Sequence, residues 1–202
     1  MTVTMHKNRA VFVDRDGTLA PDVNYCRRPE DFNLFPETPQ AIRMLNDAGF
    51  KVIVITNQSG LARGYFTEGT LARIHQKMID ELKKEGACID AIYYCPHHPD
   101  DNCECRKPGT VLFEKAASDL DIDLSQSFVI GDREIDIKPG KAIGTKTILV
   151  STGPTKGLVT AVIPDYKASN LLDATRWIKR QRRTSAGTTA ICLKQANETV
   201  KA

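Results

Sequence analysis

The chain has 202 residues, 41% hydrophobic and 26% charged, which excludes a composition-driven disordered polymer and leaves enough length to bury one substantial core. A formal net charge of +3 is too small to mark a polyanion-binding protein, and no apolar run approaches the roughly 18 to 20 residues of a membrane span. Residues 1–9 lack the apolar centre of a secretory leader, so a soluble cytoplasmic protein with no membrane partner is expected.

Residues 10–13, Ala-Val-Phe-Val, are an unbroken apolar run suited to a strand buried on both faces, and the run stops at Asp14. Ala41, Ile42, Leu45 and Ala48 recur at helical spacing over 39–48, with Gly49 just past the end. A second buried strand is expected over 51–55. Thr67 and Glu68 open a long helix that passes through Leu71, Ile74, Met78, Ile79 and Leu82 to Gly86. A strand over 91–94 ends at Cys95. The pattern continues with a helix over 111–120, a strand over 127–130 that delivers Gly131 and Asp132, a strand over 147–150 and a helix over 171–179. Residues 184–202 carry no aromatic residue and are expected to be a loose tail, with 189–193 able to add an edge strand.

This alternation predicts a three-layer α/β fold, a mostly parallel sheet with helices on both faces and right-handed crossovers, in a single domain over 1–183. In such folds ligands bind beyond the carboxyl ends of the strands. Asp14, Thr56, Cys95 and Asp132 all fall at those ends. Asp14 and Asp16 share one tight turn that Gly17 can accommodate, and Asp132 arrives from another strand. Three converging carboxylates need a cation, and oxygen-only ligation suits Mg²⁺.

Asp14-Arg15-Asp16-Gly17-Thr18-Leu19, Thr56-Asn57-Gln58-Ser59, Arg106-Lys107-Pro108 and Gly131-Asp132-Arg133-Glu134-Ile135-Asp136 resemble, in order and spacing, the four motifs of the haloacid dehalogenase superfamily of phosphatases. The resemblance covers about residues 8–180 and implies a Rossmann-like sheet with a minimal cap. It implies Asp14 as the nucleophile that becomes an aspartyl phosphate and Asp16 as acid and base. Mg²⁺ would be held by the Asp14 side chain, the Asp16 backbone carbonyl and Asp132, while Thr56 and Lys107 cradle the phosphate. Asp136 would orient Lys107 or support the metal. Transport ATPases of this superfamily carry Thr where Asp16 stands, so Asp16 argues for hydrolysis. Pro139-Gly140 interrupts a stretch that the family builds as helix, and that helix is expected to start late or be short.

Cys95, His97, Cys103 and Cys105 supply three thiolates and an imidazole within eleven positions, a soft tetrahedral set that selects Zn²⁺, with His98 as the alternative imidazole. Four protein ligands leave no open position, so the zinc in the 95–105 loop is structural. The run from Cys95 to Pro108 looks like the D,D-heptose 1,7-bisphosphate phosphatases and the related histidinol-phosphate phosphatases. Ala62-Arg63-Gly64 resembles the heptose branch. There, Asp22, Val23, Asn24, Tyr25, Asn57, Gln58, Ser59, Arg106 and Arg133 would contact substrate, with the Arg106 fork suited to a second phosphate. Arg133 stands where Lys is usual in that branch, and Cys26-Arg27-Arg28-Pro29 is more basic than its counterpart.

The expected partner is therefore a small phosphorylated sugar, acted on by a monomer. Histidinol phosphate or another small monoester is the alternative substrate, followed by a nucleic-acid end phosphatase and a zinc-bearing module without activity. Arg176, Lys179, Arg180, Arg182 and Arg183 crowd one stretch but lack interleaved aromatics, so a solvated helix face with no nucleic acid is expected. His75, beside Gln76 and Lys77, is expected to be exposed, Cys26 and Cys88 to be packing residues, and Trp177 to anchor the last helix.

Overall fold

The structure, a computed structural model, describes residues 7–153, 161–181 and 200–201. In chain order it forms β1 (Arg9–Val13), α1 (Thr38–Asp47), β2 (Phe50–Asn57), α2 (Glu68–Lys84), β3 (Ala91–Cys95), α3 (Val111–Asp119), β4 (Phe128–Gly131), α4 (Glu134–Ala142), β5 (Lys146–Val150), β6 (Tyr166–Ala168), α5 (Leu171–Gln181) and β7 (Val200–Lys201). The sheet order is β6-β5-β4-β1-β2-β3-β7, and every neighbouring pair is parallel.

The strands alternate with period two, as buried parallel strands must when both faces are covered. Val11, Val13, Val52 and Val54 pack with Ile42, Leu45, Ile74, Met78 and Ile178 of α1, α2 and α5. Ala10, Phe12, Ile53 and Ile55 point to the other face and pack with Leu112, Phe113 and Ala116 of α3. The Thr67 side chain caps α2 by accepting from the Thr70 N–H. Trp177 of α5 stacks on Tyr166 at 4.9 Å, as an anchoring residue should.

The helix around Pro139 differs from expectation. It is short, nine residues, but it does not start late: it runs from Glu134 straight through Pro139 to Ala142. Proline removes one backbone donor at a cost of about 3 kcal/mol. Burial of Ile137, Pro139 and Gly140 against β4 and β5 offsets it. The approach is so close that a side chain at Gly140 would meet Thr147 Cγ2 at 2.7 Å.

His75 is also a correction, since it is fully buried. Leu71, Ile74, Met78 and Leu82 define the inward stripe of α2, and position 75 is four residues from 71 and three from 78, on that same stripe. β6, three residues long, was too short to read from periodicity. The expected tail over 184–202 lies outside the described residues except for Val200–Lys201, which pairs with β3; the 189–193 strand also lies outside them. Arg176, Lys179 and Arg180 are exposed on α5, while Arg182 and Arg183 are outside the described residues. No helix among the described residues is long and apolar enough to cross a membrane.

β1 and β4 are the switch point of this sheet: the chain leaves β1 towards β2 on one side and β4 towards β5 on the other. Asp14 and Asp132 follow these two strands directly.

Candidate active site

The turn after β1 is built around a contact that only glycine allows. Gly17 has φ +90°, and a Cβ there would stand 2.5 Å from Asp132 Oδ2. The Thr152 hydroxyl donates to the Gly17 carbonyl at 2.6 Å, and the Asp14 N–H donates to the Ile130 carbonyl at 3.0 Å. Asp14 and Asp132 are thereby held together at the ends of adjacent strands.

Asp14, Asp132 and Asp136 offer one carboxylate oxygen each within 4.8 Å of one another. Lys107, 4% exposed, sits among them, with Nζ 2.6 Å from Asp14 Oδ1, 2.7 Å from Asp136 Oδ1 and 2.7 Å from the Ile55 carbonyl. Burial alone would lower Lys107, but the carboxylates of Asp136 and Asp14 outweigh it and hold the lysine above its ordinary value. Burial raises Asp14, opposed by Lys107 and reinforced by Asp136, Asp132 and Asp16. Burial and then Asp136 push Asp132 up to about 6, against the pull of Arg133. Asp14, Asp132 and Asp136 together form a hard-oxygen donor set that a divalent cation fits, and Mg²⁺ is the ion that matches it. Asp136 reaches Lys107 from the first turn of α4, where its Oδ2 also accepts from the Arg133 N–H.

Asp16 lies at the cavity side of the same turn. Both its oxygens are engaged: Oδ1 accepts from Arg15 Nε at 3.1 Å, and Oδ2 from Arg15 Nη2 at 2.8 Å and Gln58 Nε2 at 2.9 Å. Gln58 Nε2 also donates to Thr56 Oγ1 at 2.9 Å. The sequence placed Gln58 among substrate contacts; its amide nitrogen serves Asp16 and Thr56. Arg15, which sequence reasoning passed over, is 1% exposed.

These groups open onto a cavity of about 180 Å³. Asp22, Asn24, Tyr25, Asn57, Ser59, Arg106 and Arg133 line it together with Asp14, Asp16, Thr56, Gln58 and Lys107. Val23 is not among the lining residues and is 47% exposed. Arg133 closes one side through an ion pair with Asp22. Asn57 joins the opposite wall to β2: its Oδ1 accepts from the Lys107 N–H at 3.0 Å and its Nδ2 donates to the Lys107 carbonyl at 3.2 Å. Arg106 Nη1 is buried without a hydrogen-bond partner among the described residues.

Beside this wall, Cys95, His97, Cys103 and Cys105 gather. Cys95 Sγ is 3.5 Å from Cys103 Sγ and 3.6 Å from His97 Nδ1; Cys105 Sγ is 3.2 Å from His97 Nδ1 and 3.7 Å from Cys103 Sγ. A tetrahedron with zinc–sulfur bonds of about 2.3 Å has edges of about 3.8 Å, so the spacing fits one zinc and is far too long for a disulfide. Burial pushes the Cys95 thiol up to about 12, so forming the thiolate here calls for a cation. The imidazole gathered with the three thiols is that of His97, whereas His98 Nδ1 accepts from the Asp100 N–H and caps a short turn.

Residues 104–174 match the model of a HAD-hydrolase-like family. A probable D-glycero-D-manno-heptose-1,7-bisphosphate 7-phosphatase of Thermoplasma volcanium is 46% identical over 125 residues, 62% of this chain and 86% of the relative. The D-glycero-beta-D-manno-heptose-1,7-bisphosphate 7-phosphatase of Haemophilus ducreyi is 41% identical over 132 residues, 62% of this chain and 72% of the relative. A solved D,D-heptose 1,7-bisphosphate phosphatase from B. bronchiseptica, complexed with magnesium and phosphate, has a TM-score of 0.80 at 34% identity. That match covers 86% of this chain and 99% of the other.

Proposed function

This chain belongs to the HAD-like hydrolases, in the branch of the D-glycero-D-manno-heptose-1,7-bisphosphate 7-phosphatases, and on that footing we propose that it removes the 7-phosphate of D-glycero-D-manno-heptose 1,7-bisphosphate. The observation that carries a bisphosphate is the unpartnered Nη1 of Arg106 in the cavity that holds Asp14. A buried guanidinium nitrogen without an acceptor is matched by a second phosphate.

Asp14 attacks phosphorus with one carboxylate oxygen as the bond to the sugar oxygen breaks, and Asp16 gives that oxygen its proton. A water then attacks the aspartyl phosphate, Asp16 takes its proton, and the Asp14–phosphorus bond breaks. Lys107 and the Thr56 hydroxyl hold the phosphoryl oxygens through both steps. Asp14, Asp132 and the backbone carbonyl of Asp16 would hold Mg²⁺, which supplies charge neutralisation between an anionic nucleophile and an anionic phosphate. Arg133 and Asp22 form one wall for the sugar, with Asn24, Tyr25, Asn57 and Ser59 around it.

The zinc beside Arg106 and Lys107 is structural in this reading. The enzyme acts as a cytoplasmic monomer on a free sugar phosphate and binds no nucleic acid; Arg176, Lys179 and Arg180 are not among the residues lining the cavity.

Phosphate release from the heptose bisphosphate, compared with histidinol phosphate, tests the substrate. The expected result is a strong preference for the bisphosphate, magnesium dependence and loss of activity in Asp14→Asn. Equal turnover of histidinol phosphate would overturn the substrate, and an active Asp14→Asn would overturn the nucleophile.

A further inference from the structure

Asp16 is held by a residue that is itself held from far away. The Arg15 guanidinium is buried, its Nε and Nη2 are spent on the two oxygens of Asp16, and its Nη1 lies 3.2 Å from His75 Nε2. His75 comes from the middle of α2, 60 positions along the chain. Arginine has donors and no acceptor, so His75 Nε2 is the acceptor and the ring proton sits on Nδ1. The Phe32 ring lies 5.8 Å from the guanidinium, and the Tyr94 ring of β3 flanks His75 at 6.0 Å. Burial and the neighbouring Arg15 charge press His75 down to about 3, so the ring is a neutral acceptor at ordinary pH.

We propose that His75 is a positioning residue for the proton transfer, acting through Arg15 to hold the Asp16 carboxyl group, which carries the proton when it acts as acid, towards the departing oxygen. The inference rests on Asp16 being the acid of the reaction. Without an acceptor at position 75, Arg15 Nη1 becomes a buried charged donor with no partner there, and the guanidinium must turn or admit water to satisfy it. Either movement releases the two-point grip on Asp16. Gln58 then remains as the other contact to that carboxylate, on Oδ2 alone.

Leaving-group chemistry separates this role from a merely structural one. A sugar oxygen must be protonated as it departs, whereas the nitrophenolate of p-nitrophenyl phosphate leaves unprotonated. The kcat/KM value covers the steps up to that departure. It is measured with Mg²⁺ on the heptose bisphosphate and on p-nitrophenyl phosphate, for the wild type, His75→Leu, His75→Gln and Asp16→Asn. Partial unfolding lowers both substrates alike, so the ratio between them is independent of the folded fraction. The expected result is that His75→Leu loses about tenfold or more on the sugar phosphate and less than about threefold on the aryl phosphate. His75→Gln, whose amide oxygen can accept from Arg15, recovers most of the loss. Equal losses on both substrates, or a glutamine no better than leucine, overturn the proposal. Asp16→Asn tells the two levels apart: if it spares the sugar phosphate, the reading of Asp16 as acid fails. If Asp16→Asn discriminates between the substrates and His75→Leu does not, the His75 inference alone fails.

Discussion

Lys107 and Asp14 form a buried ion pair, Nζ to Oδ1 at 2.6 Å, in which the lysine is shared with Asp136 at 2.7 Å. The one cation therefore neutralises the proposed nucleophile and is itself aimed by a carboxylate from α4. Truncation in Lys107→Met leaves two buried acids without it. Breaking a buried pair from one side costs about 3 to 5 kcal/mol, and removing one charge-stabilising donor costs about 10²- to 10³-fold in kcat. Urea unfolding and phosphate release should show both losses in this variant.

Arg106→Ala should separate binding of the second phosphate from the chemistry. A hydrogen bond to a charged group is worth about 1.5 to 3 kcal/mol, so KM for the heptose bisphosphate should rise roughly 10- to 100-fold. Turnover of p-nitrophenyl phosphate, which has no second phosphate, should change little. An equal loss on both would remove Arg106 from that role.

Zinc and phosphate binding should fail together. Arg106 and Lys107 directly follow the proposed ligand Cys105, and the Lys107 backbone is fastened to β2 through the side chain of Asn57 at two points. Elemental analysis should find about one zinc per chain in the wild type and little in Cys105→Ser. That variant should also melt at a lower temperature and lose phosphatase activity with Mg²⁺ in excess. A zinc-free wild type of full stability would refute the structural site.

Stability should carry an acid-side signature of His75. Its value in the folded state, about 3, lies below the ordinary 6.5. A base lowered by folding contributes fully above 6.5, and the contribution is lost as pH falls from there towards 3, because only the unfolded chain takes up the proton. The slope is about 1.4 kcal/mol per pH unit. Asp14, raised by folding, has the opposite sign, its penalty growing as pH rises above the ordinary carboxylate range. Urea titrations of the wild type minus His75→Gln cancel Asp14 and isolate the histidine. A flat difference between pH 6.5 and 4.5 would mean that His75 is not held neutral.

Much of the site could be read in the chain because strand ends are marked twice. Apolar runs stop there, and the residues that follow, Asp14 and Asp132, are polar where the pattern demands a boundary. The candidate zinc ligands were legible for a similar reason, since all four fall in one short loop, although choosing His97 over His98 needed the tertiary gathering of His97 with the three cysteines. Pro139 misled because propensity weighs the lost backbone donor, while the burial of α4 that offsets it depends on β4 and β5, which are remote in the chain. His75 misled because its neighbours Gln76 and Lys77 are polar, although its spacing from Leu71 and Met78 put it on the inward stripe.

Local pattern by itself determined the parallel α/β alternation, the acidic turn at Asp14 to Gly17 and the thiolate loop, because each is written within one short stretch of chain. The tertiary structure alone decided who holds whom: Asp136 on Lys107, Asn57 on the Lys107 backbone, Gln58 between Asp16 and Thr56, and His75 on Arg15. Apart from the local Gln58–Thr56 contact, all four links join residues 29 to 60 positions apart, and the energy that selects them is that of satisfying buried charges and donors. Such a requirement arises only once the sheet has closed around them.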